Sequence, residues 1–154
     1  METEKPKRRL TEADTMAVLD ESMVAALSTI GEDGAPYATP VHYATSGRIA
    51  YVHGSLEGTR NENIRRDPRV SLTAWMVVEI VQGDKPCRTG TAFKSIVATG
   101  RARIVTDAVE RRVALDALVA KYSPQHVGRG YPEDILGKTG IVAVEIVTLT
   151  GKYR

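Results

Sequence analysis

The stretch "RVSLTAWMVVEIV", from Arg69 to Val81, decides the fold class. Every second residue from Val70 onwards is apolar, namely Val70, Leu72, Ala74, Met76, Val78 and Ile80. The residues between them include Ser71, Thr73, Trp75 and Glu79. Side chains alternate between the two faces of a β-strand, so this period of two predicts a long strand with one face in a core.

Five further segments have the character of strands. They are MVAALSTI, YATPVHYA, RIAYVH, TAFKSIVATGRARIV and IVAVEIVTLTGK. Pro40 lies in the second of these and would interrupt a central ladder, so we expect its strand at an edge or a bulge. Gly100 predicts a bulge or a sharp bend in its own strand. Helices are predicted over about residues 11–21, in the polar segment after the third strand, and over the apolar positions between Leu115 and Tyr122. The first and the last of these helices have predicted starts, because Thr11 with Asp14 and Asp107 with Glu110 resemble capping boxes.

The order of these elements favours an antiparallel sheet. Parallel crossovers would require helices and strands in strict alternation, which the chain lacks. Six mainly antiparallel strands with peripheral helices can curl into a small barrel, which removes exposed edges. The sequence therefore predicts a mainly β, six-stranded antiparallel barrel over residues 11–154, after a flexible basic tail over residues 1–10.

The composition excludes several classes of protein. The 154 residues are 42% hydrophobic and 26% charged, as in an ordinary globular domain, and the net charge of +2 is too small to indicate a nucleic-acid partner by itself. The single cysteine, Cys87, excludes an intrachain disulfide and fits a reducing compartment. The N-terminus lacks the apolar core of a secretory signal, and no apolar run is long enough to cross a bilayer. We therefore expect a cytoplasmic protein.

A polar segment follows the third strand and has the sequence HGSLEGTRNENIRRDPRV, from His53 to Val70. Residues from Glu57 to Arg66 favour a helix, and the Asp67-Pro68 pair would end it. Ile64 is the only large apolar residue of this helix, whereas a surface helix carries three or four in two turns. Packing alone therefore gives this helix little support.

The start of the polar helix has the residues of an anion site. A helix start has unpaired N–H groups and a partial positive charge. Gly58 allows a ligand to approach closely, Ser55 and Thr59 carry hydroxyls, and Arg60 offers a guanidinium that suits phosphate. The alternative is that the arginines of this helix form a solvated surface run, and the residues by themselves leave both interpretations open.

Six short segments also occur in a specific order. They are STIGEDGAPYATPV, YVHGS, EG followed by a basic residue, NIRRDPRV, FKSIVATGRARIV and LTGK. No single segment is diagnostic, but the ordered set resembles the pyridoxamine 5′-phosphate oxidase-like flavoproteins, and within them the nitroimidazole-resistance branch. The resemblance extends over about residues 25–152. It implies a split β-barrel homodimer that holds two FMN molecules at the subunit interface.

The resemblance also implies which residues lie along the flavin ring. The strand expected to bind the isoalloxazine ring through backbone groups consists of Ala38, Thr39, Pro40, Val41, His42 and Tyr43. Ser95, with Lys94 as a further candidate, would come from the region that contacts the second subunit.

A second set of residues is implied near the ribityl chain and the phosphate, namely His53, Gly54, Ser55, Thr59, Arg60 and Asn63. Of these, Thr59 and Arg60 would bind the phosphate itself, with Asn63 beside them. The residue before the basic position is often histidine in the nitroimidazole-resistance branch, and here it is Thr59. This difference puts any chemistry assigned to that histidine in doubt but leaves FMN binding intact.

Other kinds of site have less support from the sequence. The three histidines, His42, His53 and His126, lack the spacing of metal ligands, and one cysteine cannot complete a site. Cys87 is interpreted as an incidental loop cysteine, and Trp75 is expected at the dimer interface rather than at the flavin. No catalytic acid or base is predicted, because FMN would supply the redox chemistry.

Three functions follow as hypotheses. The first is an FMN-dependent oxidoreductase that passes electrons from NADH or NADPH to a small acceptor such as a nitroaromatic compound. The second is a module of the same fold that binds flavin, haem or a deazaflavin without turnover. The third is a nucleic-acid binder, which would lack the interleaved aromatic residues that stack on bases. The first hypothesis is the one that we favour.

Overall fold

The computed structural model of the protein describes residues 8–154. The strands are β1 (Ala25–Ile30), β2 (Pro36–Val41), β3 (Tyr43–Ser46), β4 (Ile49–Gly54), β5 (Arg69–Val81), β6 (Gly90–Ile104) and β7 (Gly140–Tyr153). The helices are α1 (Glu12–Glu21), α2 (Thr59–Arg66), α3 (Ala108–Tyr122) and α4 (Glu133–Lys138), with short 3-10 turns at Pro86–Arg88 and Pro124–His126. The described strands form one antiparallel sheet in the order β2-β1-β5-β6-β7-β4-β3. The prediction of a mainly β fold with peripheral helices is confirmed.

The sheet curls into a barrel that is split along one side. β2 and β3 are the two ends of the strand order, yet His42 alone separates them in the chain. The sheet must therefore curl until its two edges meet at His42. Away from His42 the edges separate, because β2 pairs with β1 whereas β3 pairs with β4. We call the space between β2 and the end of β4 the split.

The predicted number of six strands is wrong, because the described sheet has seven. The segment YATPVHYA was interpreted as a single strand, but it breaks at His42, where the chain changes its pairing partner. The expectation for Pro40 is confirmed, since β2 is an edge strand. Proline lacks the N–H that a central ladder requires, so this position suits an edge.

The apolar face of β5 ends earlier than its sequence pattern predicts. Val70, Leu72 and Ala74 are buried in the barrel core, but Val78 and Ile80 are 66% and 51% exposed. A register shift between Val77 and Glu79 interrupts the alternation. The end of the β5–β6 hairpin therefore extends beyond the core with apolar side chains in solvent.

The predicted helix starts are confirmed. α1 begins after Thr11, whose hydroxyl accepts a hydrogen bond from the Asp14 N–H at 3.1 Å. Asp107 caps α3 in the same way, and its carboxylate accepts from the Glu110 N–H at 2.8 Å. No helix within residues 8–154 is long and apolar enough to span a membrane.

The predicted tail over residues 1–10 lies mostly outside the described residues. Its described end, residues 8–10, runs beside β7, where Arg9 forms a bridge with Lys152. The Leu10 N–H also donates to the carbonyl of Gly151 at 3.1 Å. These residues are therefore paired with the sheet, which the composition of the segment did not predict.

Gly100 lies at the bulge that the sequence predicted, since the register between β6 and β7 shifts between Thr99 and Gly100. A Cβ atom at this position would overlap the carbonyl oxygen of Glu145 on β7. Close approach of two backbones therefore requires glycine here.

We expect Gly100→Ala to lower the free energy of unfolding by about 3 kcal/mol, because the strand must move away from β7 to make room for the methyl group. Gly130→Ala is the matched control, since a Cβ there meets open space. Urea denaturation of both variants measures the difference. An unchanged midpoint for Gly100→Ala would contradict the account of the bulge.

Candidate functional site

Two buried asparagines hold α2 in place. Ile64 is its single buried apolar side chain, while Asn61 and Asn63 are each only 2% exposed. The Asn61 Nδ2 donates to the carbonyl of Ser55 at 2.8 Å, and the Asn63 Nδ2 donates to the Thr29 hydroxyl at 3.0 Å. Buried amides with satisfied hydrogen bonds fix a unique position. This explains how a helix with little apolar surface is stably docked on the barrel.

Asn61 also orients the arginine in the first turn of α2. Its Oδ1 accepts a hydrogen bond from the Arg60 Nε at 3.3 Å. The guanidinium lies against Gly54 at the end of β4, where an added Cβ would come within 2.8 Å of the Arg60 Nη2. Arg60 is thereby held in the split, with its Nε already bonded to the protein.

The charge of Arg60 is not compensated by any carboxylate of the described residues. The side chain is half-buried, and this burial lowers the pKa of the guanidinium from its ordinary value. A half-buried cation without a counter-ion is unfavourable, because its loss of hydration is not offset. Such a group suits an anionic ligand, which a guanidinium can bind in bidentate fashion.

The N-terminus of α2 adds backbone donors to the same region. Gly58 occupies the N-cap with a φ of 119°, a left-handed conformation that favours glycine, and provides no capping side chain. The N–H groups of Thr59 and Arg60 have no intrahelical acceptor at these positions. Thr59 also lines a recess of about 360 Å³ between α2 and the β1–β2 loop, together with Tyr37.

The edge of β2 forms the opposite wall of the split. Among the described strands β2 pairs with β1 alone, so its other edge presents unpaired backbone groups. Ala38 and Pro40 are exposed on the outer face, while Val41 points into the core. The hydroxyl of Thr39 is buried and has no hydrogen-bond partner within the described chain. Unused hydrogen-bonding groups therefore lie along this strand, as a polar ligand would require.

Two histidines lie where the edges of the barrel meet. The rings of His42 and His53 are stacked with centroids 6.3 Å apart, and His42 also contacts Tyr122 of α3 at 4.7 Å. Burial lowers the pKa of His53 below its ordinary value, and the nearby His42 and Arg60 lower it further.

The structure thus brings together most of the residues that the resemblance implied near a phosphate. His53, Gly54 and Ser55 end β4 and begin the loop that Asn61 binds, and Thr59 and Arg60 begin α2. The Ser55 hydroxyl accepts from the Glu57 N–H at 3.2 Å, which leaves its proton free to donate.

Tyr43 and Asn63 use their polar groups inside the chain. The Tyr43 hydroxyl donates to the carbonyl of Leu19, and its backbone N–H donates to the Tyr122 hydroxyl at 3.0 Å. The Asn63 Oδ1 accepts from the Arg66 Nη2 at 2.7 Å, in addition to the bond with Thr29. Both side chains are therefore supports of the fold, and we do not carry them into the proposed site.

Ser95 lies on a different surface from the split. The outer face of the sheet, as defined here, consists of Ala26, Ser28, Ser71, Thr73, Trp75, Ser95, Val97, Thr99, Thr148 and Thr150. These ten residues are uncharged, and Trp75 and Val97 are 52% and 43% exposed. Charges border them on the same face, because Lys152 pairs with Ser95 and Arg69 pairs with Arg101. Ser95 is three strands from β2, which is about 14 Å at the usual strand spacing. One chain alone therefore does not bring Ser95 to β2.

Sequence reasoning missed Asn61 and Tyr37. Asn61 links Arg60 to the Ser55 loop, and Tyr37 lies close enough to Arg60 to affect its pKa. A signal for Asn61 existed, because a short polar helix with one large apolar residue needs buried polar contacts to dock. No signal marked Tyr37, since its proximity to Arg60 depends on the curl of the sheet.

Other features of the described residues offer less chemistry. They contain no cluster of three potential metal ligands, and Cys87 is exposed in a 3-10 turn. A larger recess of about 550 Å³ lies between Leu56, Val105 and Tyr131. Its Arg111 already donates to the carbonyls of Leu136 and Thr139. By size alone, this recess would be the better candidate for a ligand site. We choose the split instead, because it contains the uncompensated charge of Arg60 and backbone groups without hydrogen-bond partners.

Solved structures share this fold over nearly the whole chain. A protein assigned to 5-nitroimidazole antibiotic resistance in Bacteroides thetaiotaomicron is 19% identical, with a TM-score of 0.82 over 94% of this chain and 86% of that chain. The FAD and haem binding protein from Mycobacterium smegmatis is 18% identical, with a TM-score of 0.84 over 96% and 73%. A FAD-binding protein from Mesorhizobium loti is 23% identical, with a TM-score of 0.70 over 96% and 97%. At these identities the likeness concerns the fold.

Sequence comparison defines the family. No curated protein matches the chain. The family model described as pyridoxamine 5′-phosphate oxidase matches residues 11–153, which include every strand of the sheet and all of α2. The chain therefore belongs to the pyridoxamine 5′-phosphate oxidase family.

Proposed function

We propose that the protein binds FMN at the split and acts as an FMN-dependent oxidoreductase. The observation that carries this proposal is the half-buried Arg60 guanidinium, which is held by Asn61 and has no carboxylate partner among the described residues. The terminal phosphate of FMN carries close to two negative charges and several acceptor oxygens at pH 7. It would supply the counter-ion that Arg60 lacks.

The residues around Arg60 fit the phosphate and the ribityl chain. The N–H groups that begin α2 are donors, and Thr59 and Ser55 contribute hydroxyls. His53 and Gly54 lie beside them, and the small size of Gly54 leaves room for the guanidinium. Every one of these groups can donate a hydrogen bond or approach a ligand closely, as an oxyanion site requires.

The edge of β2 fits the isoalloxazine ring. The ring carries donors and acceptors along one side, which the backbone groups of Ala38 and Pro40 that point away from β1 can meet; Pro40 can accept but not donate. The adjacent outer face has charged residues only at its borders and includes exposed apolar side chains, which suits a flat aromatic ligand. Bound FMN would supply the redox chemistry, and the chain would position it and exclude water.

A second copy of the chain would complete the site. The outer face and the end of the β5–β6 hairpin expose Trp75, Val77, Val78, Ile80 and Val97. Exposed apolar side chains in this number favour association with another protein surface. Ser95 lies on the same face, about 14 Å from β2 of its own chain. We therefore propose a homodimer in which Ser95 of one copy approaches the flavin bound by the other.

The fold neighbours support a flavin more than a specific reaction. One neighbour is a FAD-binding protein and another binds FAD and haem. A third is assigned to 5-nitroimidazole resistance, and it motivates a nitroaromatic compound as the acceptor of electrons from NADH or NADPH. We place electron transfer to such an acceptor within the proposal.

The identity of the cofactor is tested on the protein purified under native conditions. We expect the absorption bands of an oxidised flavin, and a mass equal to FMN after denaturation. Haem, FAD or a deazaflavin in its place would overturn the FMN assignment. A colourless protein that fails to bind added FMN would overturn the proposed function.

The role of Arg60 is tested by substitution. Arg60→Ala should weaken FMN binding by about 1.5–3 kcal/mol, because it removes a charge-assisted hydrogen bond. Arg65→Ala is the matched control on the same helix, since Arg65 is exposed and donates to the carbonyl of Leu56. Flavin fluorescence titration gives both dissociation constants. Equal losses would show that the two arginines act only through the net charge.

The second subunit is tested by placing a charge on the outer face. Val97→Arg should raise the dissociation constant of the dimer by roughly 100-fold or more, because two like charges would be buried at the interface. Val127→Arg is the control, since Val127 is 61% exposed in a loop away from the outer face. Analytical ultracentrifugation gives the oligomeric state. A monomeric wild-type protein that still binds FMN tightly would contradict the shared site.

Turnover is tested by anaerobic reduction. We expect NADH or NADPH to bleach the flavin absorbance, and a nitroaromatic compound to restore it. Failure of both nicotinamides to reduce the flavin would contradict an oxidoreductase with this electron donor. Reduction without reoxidation by the nitroaromatic compound would contradict that acceptor.

A further inference from the structure

A recess of about 550 Å³ between α3 and α4 has no part in the proposed function. Its volume is typical of sites for small organic molecules. Neither Arg60 nor any residue of β2 lines it. Its apolar lining consists of Leu56, Ile104, Val105, Ala108 and Leu136. The recess is therefore separate from the split, and its walls suit the apolar part of a ligand.

Hydrogen bonds fix the walls of this recess. Arg111 of α3 is half-buried, and its guanidinium donates to the carbonyls of Leu136 and Thr139 at 2.6 and 2.7 Å. The Tyr131 hydroxyl donates to the carboxylate of Asp116 on α3 at 2.7 Å. Both α4 and the segment before it are thus tied to α3. The recess is therefore formed before any ligand enters it.

The recess contains positive charge without a facing carboxylate. Arg111 donates to neutral carbonyls, so its charge is not compensated by an ion pair within the described residues. Arg112, the next residue of α3, is exposed at the recess and forms no ion pair within residues 8–154. No described Asp or Glu lines the recess. Apolar walls are therefore combined with net positive charge.

The acidic residues closest to Arg112 along α3 have other partners. Asp116, one turn later, accepts the hydrogen bond from Tyr131. Burial and this bond raise the pKa of Tyr131 to about 12, and the nearby Arg112 opposes the rise. Glu110 pairs with Arg103 at 2.7 Å. The Arg112 guanidinium is therefore available to an anion that enters the recess.

We propose that this recess binds a small organic monocarboxylate, with its carboxylate at Arg112 and its apolar body among Leu56, Val105 and Leu136. A guanidinium binds a carboxylate in bidentate fashion. One free guanidinium suits a ligand with a single negative charge, and the apolar walls suit a hydrocarbon body better than a sugar or a peptide. The inference does not depend on flavin binding, because it concerns different residues.

Leu56 connects the recess to the loop beside the split. Its carbonyl accepts a hydrogen bond from the Arg65 Nη2 at 3.2 Å, and the carbonyl of Ser55 accepts from the Asn61 Nδ2 at 2.8 Å. These bonds hold the loop from the side of α2, so a ligand in the recess need not displace it. We therefore expect the carboxylate and FMN to bind at the same time.

The test uses 2-naphthoate as the probe and 2-naphthalenemethanol as the matched uncharged ligand. Each is titrated into the full-length protein with and without excess FMN, and the amide signals are followed by NMR. Both ligands should shift signals of residues that line the recess, and naphthoate should bind about fivefold more tightly at low salt, as an exposed ion pair contributes.

Several results of these titrations would overturn the inference. They are equal affinities for the two ligands, absence of binding, and shifts confined to residues outside the recess. Displacement of naphthoate by FMN would show that the recess is part of the flavin site, which would also overturn it as a separate site. Absence of FMN binding would overturn the proposed function and leave the naphthoate result to be judged by itself.

A charge variant tests Arg112. Arg112→Gln should weaken naphthoate binding about fivefold and leave the affinity for 2-naphthalenemethanol unchanged. Lys85→Gln is the matched control, because it removes the same charge from the exposed turn of the β5–β6 hairpin and should change neither affinity. An unchanged naphthoate affinity in Arg112→Gln, or an equal loss for both ligands, would overturn the assigned role.

A steric variant tests the location. Gly137 lines the recess, and a Cβ there meets open space, so Gly137→Leu should fold and abolish binding of both ligands at concentrations that saturate the wild type. Gly130→Leu is the matched control, since a Cβ there also meets open space and Gly130 does not line the recess. Unchanged binding by Gly137→Leu would overturn the inference.

Discussion

The candidate site depends on the two hydrogen bonds of one buried amide. Asn61 accepts from the Arg60 Nε and donates to the carbonyl of Ser55, so it ties the cation in the first turn of α2 to the loop that follows β4. Without this bridge, α2 would be a short polar helix with a single buried apolar residue, Ile64. Arg60 would then gain more from extending into water than from lying against Gly54. The Asn61 side chain therefore both docks α2 on the barrel and orients the Arg60 guanidinium.

The curl of the sheet determines what faces that charge. His42 forces the two edge strands together at one point, and the changed pairing of β2 and β3 opens the barrel beyond it. Arg60, the end of β4 at Gly54 and the edge of β2 consequently border the same space, although they belong to three different elements. The outer face, which is partly apolar and has charged residues only at its borders, adjoins this space and remains available to a second copy. Family membership, the uncompensated charge of Arg60 and the partly apolar outer face thus favour the same proposed ligand, a flavin that carries a phosphate.

Local sequence patterns predicted the local structure well. Segments in which apolar residues alternate predicted the long strands. Thr11 and Asp107 predicted the starts of two helices, and Gly100 predicted the bulge. Features set by tertiary structure were missed, because they depend on pairing across the sheet: the break at His42, the early end of the apolar face at Met76, and the approach of Tyr37 to Arg60. Most candidate site residues were predicted from the family resemblance. The roles of Asn61, Asn63 and Tyr43 could not be predicted in this way, because only their contacts in the structure show that these side chains support the fold instead of facing a ligand.

The central claim is that the split binds a phosphate through Arg60. The most direct measurement compares the dissociation constants of FMN and riboflavin for the same wild-type preparation at pH 7, since the two ligands differ only in the phosphate. We expect FMN to bind about 100-fold more tightly, as charge-assisted hydrogen bonds of 1.5–3 kcal/mol each would produce. Equal affinity for the two ligands would contradict the account.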